Sequence, residues 1–370
     1  MDKIGVYLHV PFCRTKCPYC DFYSVPFTEQ LADEYTRAVI RVLGTHPFGR
    51  VKANTLYLGG GTPTLLGLRR LTEILERAAT TFGLDCGSEI TIEGNPESLP
   101  PILLSGLRQA GYNRLSVGVQ SLVDTELKAL GRGHSSRQGQ TAILNARAAG
   151  FEDISADIML ATPGQSIESL TQTIRMLTRL PVNHLSAYLL KLEPDSQLAR
   201  QNIPLPDDDL AAGLYLECLE QLSKEGFEQY EVSNFARAGK QSRHNLKYWQ
   251  RREYLGIGPA AHSFLGGERF AFPPKLDDFL RGNPFAKIEY QPPDSAHEEE
   301  IMLRIRLTQG LDTKDLARQH KINPAPLLLK AENLAGHGFC RVEDGVISLT
   351  AEGFLISNTI TAELIGALVD

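Results

Sequence analysis

The stretch CRTKCPYC, residues 13–20, places three cysteines within eight residues, directly after a strand-like run at residues 5–10. The other three cysteines of the chain are scattered: Cys86, Cys218 and Cys340. A disulfide framework would not concentrate its cysteines in this way. The clustering of Cys13, Cys17 and Cys20 therefore indicates a set of metal ligands.

Two kinds of metal site suit this cysteine spacing. Three thiolates can each bind one iron of a [4Fe-4S] cluster, which leaves the fourth iron open to an exogenous ligand. The alternative is a tetrahedral zinc site that takes its fourth ligand from elsewhere in the chain. The spacing alone leaves both alternatives open.

Around the cysteines, short apolar runs alternate with segments of helical period. Six strands are predicted, at residues 5–10, 55–59, 89–93, 114–120, 153–160 and 184–190. Helices are predicted between them, at residues 31–43, 68–82, 102–110, 137–149 and 167–180. Six strand-helix units in succession indicate a parallel sheet in an α/β fold. An incomplete (β/α)6 TIM-like barrel explains them more economically than a doubly wound sheet, although periodicity does not separate the two.

The second half of the chain has a different pattern. A linker at residues 193–209 leads to a helical run at 210–226 and then to a segment, 230–264, that we predict to be irregular. After a Pro-rich break at 290–294, helical runs precede two short strands, which is typical of a small winged-helix-like unit. We expect a barrel at residues 1–230, an extension at 231–290 and a C-terminal domain at 291–370.

Composition limits the classes of function. The 370 residues are 42% hydrophobic and 22% charged, as in ordinary globular proteins. The net charge of −6, without a long basic run, argues against a protein that binds nucleic acid. No stretch reaches the roughly 18 apolar residues of a membrane span, and no targeting signal is evident at the N-terminus. We expect a cytoplasmic protein.

Polar residues recur at the ends of the predicted strands. A Gly-rich turn with Gly60, Gly61 and Thr62 follows the second strand, and glycines there allow close approach of a ligand to the backbone. Glu93 ends the third strand and Gln120 the fourth. Since carboxyl ends of parallel strands meet at one face of a barrel, these residues predict a pocket. Each alone could also be a satisfied core residue.

Several motifs together resemble radical S-adenosylmethionine (SAM) proteins of the HemN/HemW group. They are YLHVPFC at residues 7–13, the three cysteines, GGGTP at 59–63, EGNPE at 93–97, VGVQS at 117–121 and RGH at 132–134. The similarity covers nearly the whole chain. It implies that one [4Fe-4S] cluster on Cys13, Cys17 and Cys20 binds SAM at its open iron and cleaves it to a 5′-deoxyadenosyl radical.

The resemblance also implies which residues surround SAM. Carried over position by position, these are Tyr7, Tyr19, Gly60, Gly61, Thr62, Glu93, Gln120, Arg132 and Asp157.

Two branches of this group have different functions. Coproporphyrinogen dehydrogenases have a fourth cysteine two residues after the third, where this chain has Phe22, and a longer segment before the residue equivalent to Tyr7. The motif HNLKYW at residues 244–249 is instead similar to the HNxxYW signature of the HemW branch of haem chaperones. That branch implies binding of haem and its delivery to haem-requiring respiratory proteins, with the membrane surface as one place of delivery. Coproporphyrinogen dehydrogenase and a binding module without radical chemistry remain the alternatives.

The same motif implies how haem is held. His244 can coordinate iron, and Tyr248 and Trp249 can stack on the porphyrin. HemW sequences commonly have a cysteine where this chain has Ser242, so the ligand set differs, and His262 is the reserve candidate. The other interpretation of His244 is a core or helix-capping residue.

Overall fold

The computed structural model describes residues 3–194, 196–201, 203–291 and 295–368. Its centre is a run of six parallel strands, each paired with the next one in sequence. They are β1 (Ile4–Val10), β2 (Ala53–Gly60), β3 (Glu89–Gly94), β4 (Arg114–Gln120), β5 (Asp153–Leu160) and β6 (His184–Leu189). The predicted α/β architecture of strand-helix units is confirmed.

Helices follow these strands and cover the outer face of the sheet. They are α1 (Glu29–Thr45), α2 (Gly67–Phe82), α3 (Pro101–Ala110), α4 (Asp124–Ala129), α5 (Ser136–Ala148) and α6 (Ile167–Thr178). Local sequence explains where several begin, because the hydroxyls of Thr28, Ser135 and Ser166 accept hydrogen bonds from the first-turn amides of α1, α5 and α6. Their apolar faces bury residues such as Tyr35 and Phe82 against the sheet.

The next part of the chain extends the sheet at both ends. Its helices are α7 (Gln197–Arg200), α8 (Asp208–Lys224), α9 (Arg243–Trp249) and α10 (Leu276–Leu280). Its strands are β7 (Glu228–Gln229), β8 (Asn234–Ala236), β9 (Tyr254–Ile257), β10 (His262–Leu265), β11 (Glu268–Ala271) and β12 (Glu289–Tyr290). The full strand order is β12-β11-β10-β9-β1-β2-β3-β4-β5-β6-β8-β7, so among the described residues β6 pairs with β8 and not with β1.

The prediction that residues 230–264 are irregular was wrong. Within them, β9 pairs in parallel with β1 through contacts such as Tyr7 with Gly256, and α9 carries the HNxxYW motif. The four residues of β9 are all buried, but a run this short between polar turns has too little periodicity to be recognised in a sequence.

The C-terminal part contains helices and a small antiparallel sheet. The helices are α11 (Ala296–Arg304), α12 (Thr313–His320), α13 (Ala325–Gly336), α14 (Ala351–Leu355) and α15 (Ser357–Gly366). The strands β13 (Leu311–Asp312), β14 (Cys340–Glu343) and β15 (Val346–Leu349) pair in the order β13-β15-β14. Residues 292–294 of the predicted Pro-rich break lie outside the described residues.

Backbone hydrogen bonds and ion pairs join this C-terminal part to the preceding part of the chain. The Val232 amide donates to the Arg306 carbonyl oxygen at 3.0 Å, and Glu299 accepts hydrogen bonds from Arg251 and Arg269. In the part of the chain that the structure describes, no helix is both long enough and apolar enough to cross a membrane.

Candidate functional site

The cysteine loop begins where β1 ends. A two-residue ladder pairs Phe12–Cys13 with Val25–Pro26, which holds the loop at both ends. The Cys20 amide donates to the Cys17 carbonyl oxygen at 3.0 Å, and the thiols of Cys13, Cys17 and Cys20 are all free and half-buried. The loop therefore presents three thiols at the carboxyl end of a barrel strand, where active sites of such barrels lie.

The protonation of these thiols is coupled to metal binding. Burial raises the pKa of the Cys13 thiol, although hydrogen bonds with Ser24 and Thr62 oppose the shift, and burial also raises the pKa of Cys20. The metal ligand is the thiolate, so iron binding here would release protons.

Arg132 connects the cysteine loop with two strands of the barrel. Its Nη1 donates to Cys17 Sγ at 3.2 Å, while Nη2 donates to Asn95 Oδ1 at 2.7 Å and to the Gly118 carbonyl oxygen at 2.9 Å. Its buried Nε has no hydrogen-bond partner in the structure. A guanidinium in this position stabilises negative charge on Cys17 and leaves one further donor for a ligand.

These residues fit a three-thiolate iron-sulfur cluster. A cavity of about 320 Å³ adjoins the loop and is lined by Arg14, Cys17, Thr62, Asn95 and Arg132, among others.

The Gly-rich turn is shaped by close packing against β1 and the cysteine loop. Gly60 has φ +106°, and a Cβ atom there would lie 2.6 Å from the His9 ring. The amides of Gly60, Gly61 and Thr62 donate within the protein, to Glu93 Oε2, the Val10 carbonyl and the Phe12 carbonyl, respectively. These three N–H groups are therefore engaged within the protein and are not free to bind a carboxylate group of a ligand.

His9 is a residue of this site that the sequence analysis did not single out. Its Nε2 lies 2.9 Å from the Tyr23 carbonyl oxygen and its Nδ1 lies 3.0 Å from the Tyr7 hydroxyl. A carbonyl can only accept, so Nε2 carries the proton and Tyr7 donates to Nδ1. His9 thus positions Tyr7 relative to the cysteine loop. The sequence signal that could have identified His9 is its position in the motif YLHVPFC, between Tyr7 and the cysteine loop.

Glu93 and Asp157 are two neighbouring carboxyl groups inside the barrel. Glu93 accepts from the Tyr57 hydroxyl at 2.7 Å and from the Gly60 amide at 3.2 Å. Asp157 accepts from the Ser116 hydroxyl at 3.0 Å. Burial raises the pKa of Glu93 to about 7, with a contribution from the charge of Asp157, and burial raises the pKa of Asp157 to about 6. Both groups therefore titrate close to neutral pH.

Gln120 and Tyr19 take different positions around the cysteines. Gln120 has φ +66° and follows a register irregularity between β4 and β5, which turns the chain at the end of its strand. Tyr19 packs into a small apolar cluster with Leu130, Met159, Leu190 and Leu198, and burial raises its pKa. A register irregularity at a strand end, like the one before Gln120, is common near functional sites.

A second cavity, which we call the ligand cavity, has a volume of about 440 Å³. Its lining residues come from the barrel strands, from the segment after β7 and from α9. They are Tyr7, Tyr57, Glu93, Tyr188, Glu231, Val232, Ser233, Asn234, Asn245, Tyr248 and Trp249. The structure thus brings together two residues predicted for SAM, Tyr7 and Glu93, with two predicted for haem, Tyr248 and Trp249. Asp157 lines a smaller chamber next to this cavity.

His244 is buried, and hydrogen bonds within the protein engage both of its ring nitrogens. Nδ1 lies 2.8 Å from Thr55 Oγ1 and Nε2 lies 2.7 Å from the Tyr248 hydroxyl oxygen, while burial lowers the pKa of the ring to about 3. In this arrangement the imidazole is a core residue, and coordination of iron would require one of these bonds to break. Ser242 caps α9 by accepting from the Asn245 amide at 3.3 Å.

The fold and the three-cysteine loop define a radical SAM protein. A model of the radical SAM superfamily matches residues 7–177, and a model of the HemN C-terminal domain matches residues 291–356. The solved structure of coproporphyrinogen III oxidase (HemN) from Escherichia coli superposes with a TM-score of 0.84, covering 98% of this chain and 90% of that one at 22% identity.

Curated relatives define the family more narrowly. The heme chaperone HemW of Mycobacterium tuberculosis (strain H37Rv) is 35% identical over 379 residues, covering 99% of this chain and 95% of the relative. The heme chaperone HemW of Bacillus subtilis (strain 168) is 32% identical, covering 98% of this chain and all of the relative. The chain belongs to the HemW family.

Proposed function

We propose that this protein is a cytoplasmic haem chaperone that carries one [4Fe-4S] cluster and SAM and delivers haem to haem-requiring respiratory proteins. The observation that carries the proposal is the composition of the ligand cavity, in which Tyr7 and Glu93 face Tyr248 and Trp249 of the HNxxYW motif. Full-length similarity to chains named heme chaperone HemW supports it.

In this proposal Cys13, Cys17 and Cys20 each bind one iron of the cluster. When bound, the cluster would supply an electron for the cleavage of SAM. Arg132 balances the negative charge at Cys17. The carbonyl oxygens of the Gly-rich turn and the carboxyl group of Glu93 would accept hydrogen bonds from the amino group of SAM. His9 orients Tyr7 through the Tyr7–Nδ1 hydrogen bond. We propose roles at this site for Tyr19, Gln120 and Asp157 as well.

The lining of the ligand cavity also suggests how haem is oriented. Tyr188, Tyr248 and Trp249 offer aromatic surface for a flat apolar ring. The cavity carries two carboxyl groups, Glu93 and Glu231, and none of its described lining residues is Lys or Arg. Haem propionates are anionic, so we expect the apolar edge of the ring to enter first and the propionates to face solvent.

Transfer of haem tests the proposal. The anaerobically purified, haem-loaded protein is mixed with a haem-free respiratory acceptor, and transfer is followed by absorbance. We expect transfer from the wild type and its loss in Trp249→Ala. Tyr290→Ala is a matched control, because Tyr290 is an aromatic residue that is 63% exposed and lies outside the cavity lining. Equal transfer by wild type and Trp249→Ala, or no haem binding by the wild type, would contradict the proposal.

A further inference from the structure

Beside the ligand cavity, the barrel encloses a polar chamber of about 30 Å³. We call it the barrel chamber, and side chains of β2 to β6 and of the segment around α9 line it. They are Tyr57, Thr91, Glu93, Arg114, Ser116, Ser155, Asp157, His184, Ser186, Tyr188, Ser242 and Asn245. Barrels of this type are usually filled by layers of branched apolar side chains. A chamber lined only by polar residues therefore needs an explanation.

Two polar atoms on the chamber wall lack partners. Thr91 is fully buried and Arg114 is only 3% exposed, yet Thr91 Oγ1 and Arg114 Nη2 form no hydrogen bond in the structure. Arg114 Nη1 donates to the Lys240 carbonyl oxygen at 3.1 Å, which fixes the guanidinium while Nη2 stays available. Unsatisfied buried groups of this kind are costly and are commonly satisfied by water.

The size of the chamber favours a single water molecule. A cavity needs roughly 10–15 Å³ of probe volume to hold one water, and such a water usually makes two to four hydrogen bonds. Arg114 Nη2 can donate to a water here, while Thr91 and Asp157 can accept from it. Arg114 and Asp157 line the same chamber, and no direct hydrogen bond joins their described side chains.

We propose that the barrel chamber binds one water molecule, held by Arg114 and Thr91, and that this water links the Arg114 guanidinium to the Asp157 carboxylate. Arg114 is then a positioning residue of the ligand cavity, although it does not line that cavity. Through the water, Arg114 changes the proton affinity of Asp157, and the charge of Asp157 in turn changes the proton affinity of Glu93. This inference does not depend on whether haem is the ligand.

Several charged and titratable groups face the two carboxyl groups. The titratable side chains that interact electrostatically with Glu93 are Tyr7 of β1, Tyr57 of β2, Asp157 of β5, Tyr188 of β6 and Tyr248 of α9. Asp157 faces Glu93, Tyr57, Tyr188, Arg114 and Arg132, and the two arginines favour its ionised form. Removal of the Arg114 charge should therefore raise the pKa of Asp157, and removal of the water should do the same to a smaller extent.

The test is an infrared titration of the Asp157 carboxyl group in the full-length protein, with the band assigned from its loss in Asp157→Asn. We expect Arg114→Leu to raise the proton affinity of Asp157 at least about tenfold and Arg114→Lys to restore part of the difference. Thr91→Val should raise the proton affinity about threefold, because the hydroxyl that holds the water is lost.

Thr162→Val is the matched control, because Thr162 is also a fully buried threonine with an unpartnered hydroxyl but does not line the chamber. It should leave the titration unchanged. If Arg114→Leu does not fold, Arg114→Lys and Thr91→Val still decide the outcome. An unchanged titration in Thr91→Val would overturn the proposal even if Arg114→Leu shifts it, because Arg114 would then act directly through space. A crystal structure with no water density in the chamber would overturn it as well.

Discussion

The Nε2 atom of His244 lies 2.7 Å from the hydroxyl oxygen of Tyr248, so the histidine of the HNxxYW motif holds the tyrosine of the same motif in place. His244 Nδ1 is in turn bound to Thr55 Oγ1 on β2. The motif thus fixes an aromatic wall of the ligand cavity to the central sheet. Any effect of His244 on haem binding should then be indirect.

The first prediction distinguishes two roles of His244, the positioning of Tyr248 and the coordination of haem iron. His244→Ala should lower haem affinity at least about tenfold, or about 1.4 kcal/mol, without moving the Soret band of the bound haem. It should also reduce the free energy of unfolding by about 2–3 kcal/mol, since buried hydrogen bonds are lost and a cavity forms. Absorbance titration and denaturant unfolding measure both effects. His262→Ala tests the reserve candidate ligand in parallel, since the His262 side chain is exposed. A Soret shift in His244→Ala would instead identify it as an axial ligand.

The second prediction concerns the cluster. Cys17→Ala should lose the cluster, because in the proposed site each of the three thiolates binds one iron, and Arg132 already contacts this thiol. Cys86→Ala is the matched control, since Cys86 is exposed and lies outside the loop. Iron and sulfide analysis after anaerobic reconstitution gives the answer. Retention of about four irons per chain by the Cys17 variant would rule out the assignment.

The third prediction concerns the Gly-rich turn. Gly60→Ala should lower the free energy of unfolding by about 2 kcal/mol or more, because φ is +106° and the new Cβ would meet the His9 ring at 2.6 Å. Gly336→Ala, at a position with no atom within 4 Å of the added Cβ and no positive φ, should have little effect. Thermal unfolding compares the two variants. Equal stability would show that His9 does not pack under this turn.

The fourth prediction follows from the protonation of Glu93. Burial raises its folded-state pKa to about 7, above the ordinary value of 4.5. The folded state therefore holds this proton more tightly, so the stabilising contribution is complete below the ordinary pKa and is lost as the pH rises towards 7. Glu93→Gln should be more stable than the wild type at neutral pH, by about 1 kcal/mol, and the difference should vanish near pH 4. Denaturant unfolding across this range checks it, and a constant difference would contradict it.

Much of the barrel could be predicted because its strands are short runs rich in β-branched and apolar residues, and segments of helical period separate them. Each of β1 to β6 begins and ends within two residues of its predicted bounds. The strand β9 and the surroundings of His244 could not be predicted in this way. Two of the partners of His244 are distant in sequence, Thr55 at 189 residues and Glu89 at 155 residues, and no local pattern encodes such contacts.

In the candidate site, too, some residues could be predicted from the sequence, whereas their contacts could not. The cysteines and Glu93 were predicted from their places at strand ends and Tyr7 from the family resemblance, whereas the tautomer of His9 depends on the Tyr23 carbonyl in a neighbouring loop. The pairing of Tyr248 and Trp249 with Tyr7 in one cavity depends on the parallel pairing of β9 with β1, which only the tertiary structure reveals.

The most direct test of a haem-binding function is a haem titration and a coproporphyrinogen assay on the same anaerobic, cluster-containing sample. We predict saturable binding of one haem per chain, at least about tenfold weaker in Trp249→Ala than in Tyr290→Ala at equal cluster content, and no oxidation of coproporphyrinogen. Formation of protoporphyrinogen by the wild type would contradict this account and assign the protein to the dehydrogenase branch. Haem binding of equal strength in both variants would show that the ligand cavity is not the haem site.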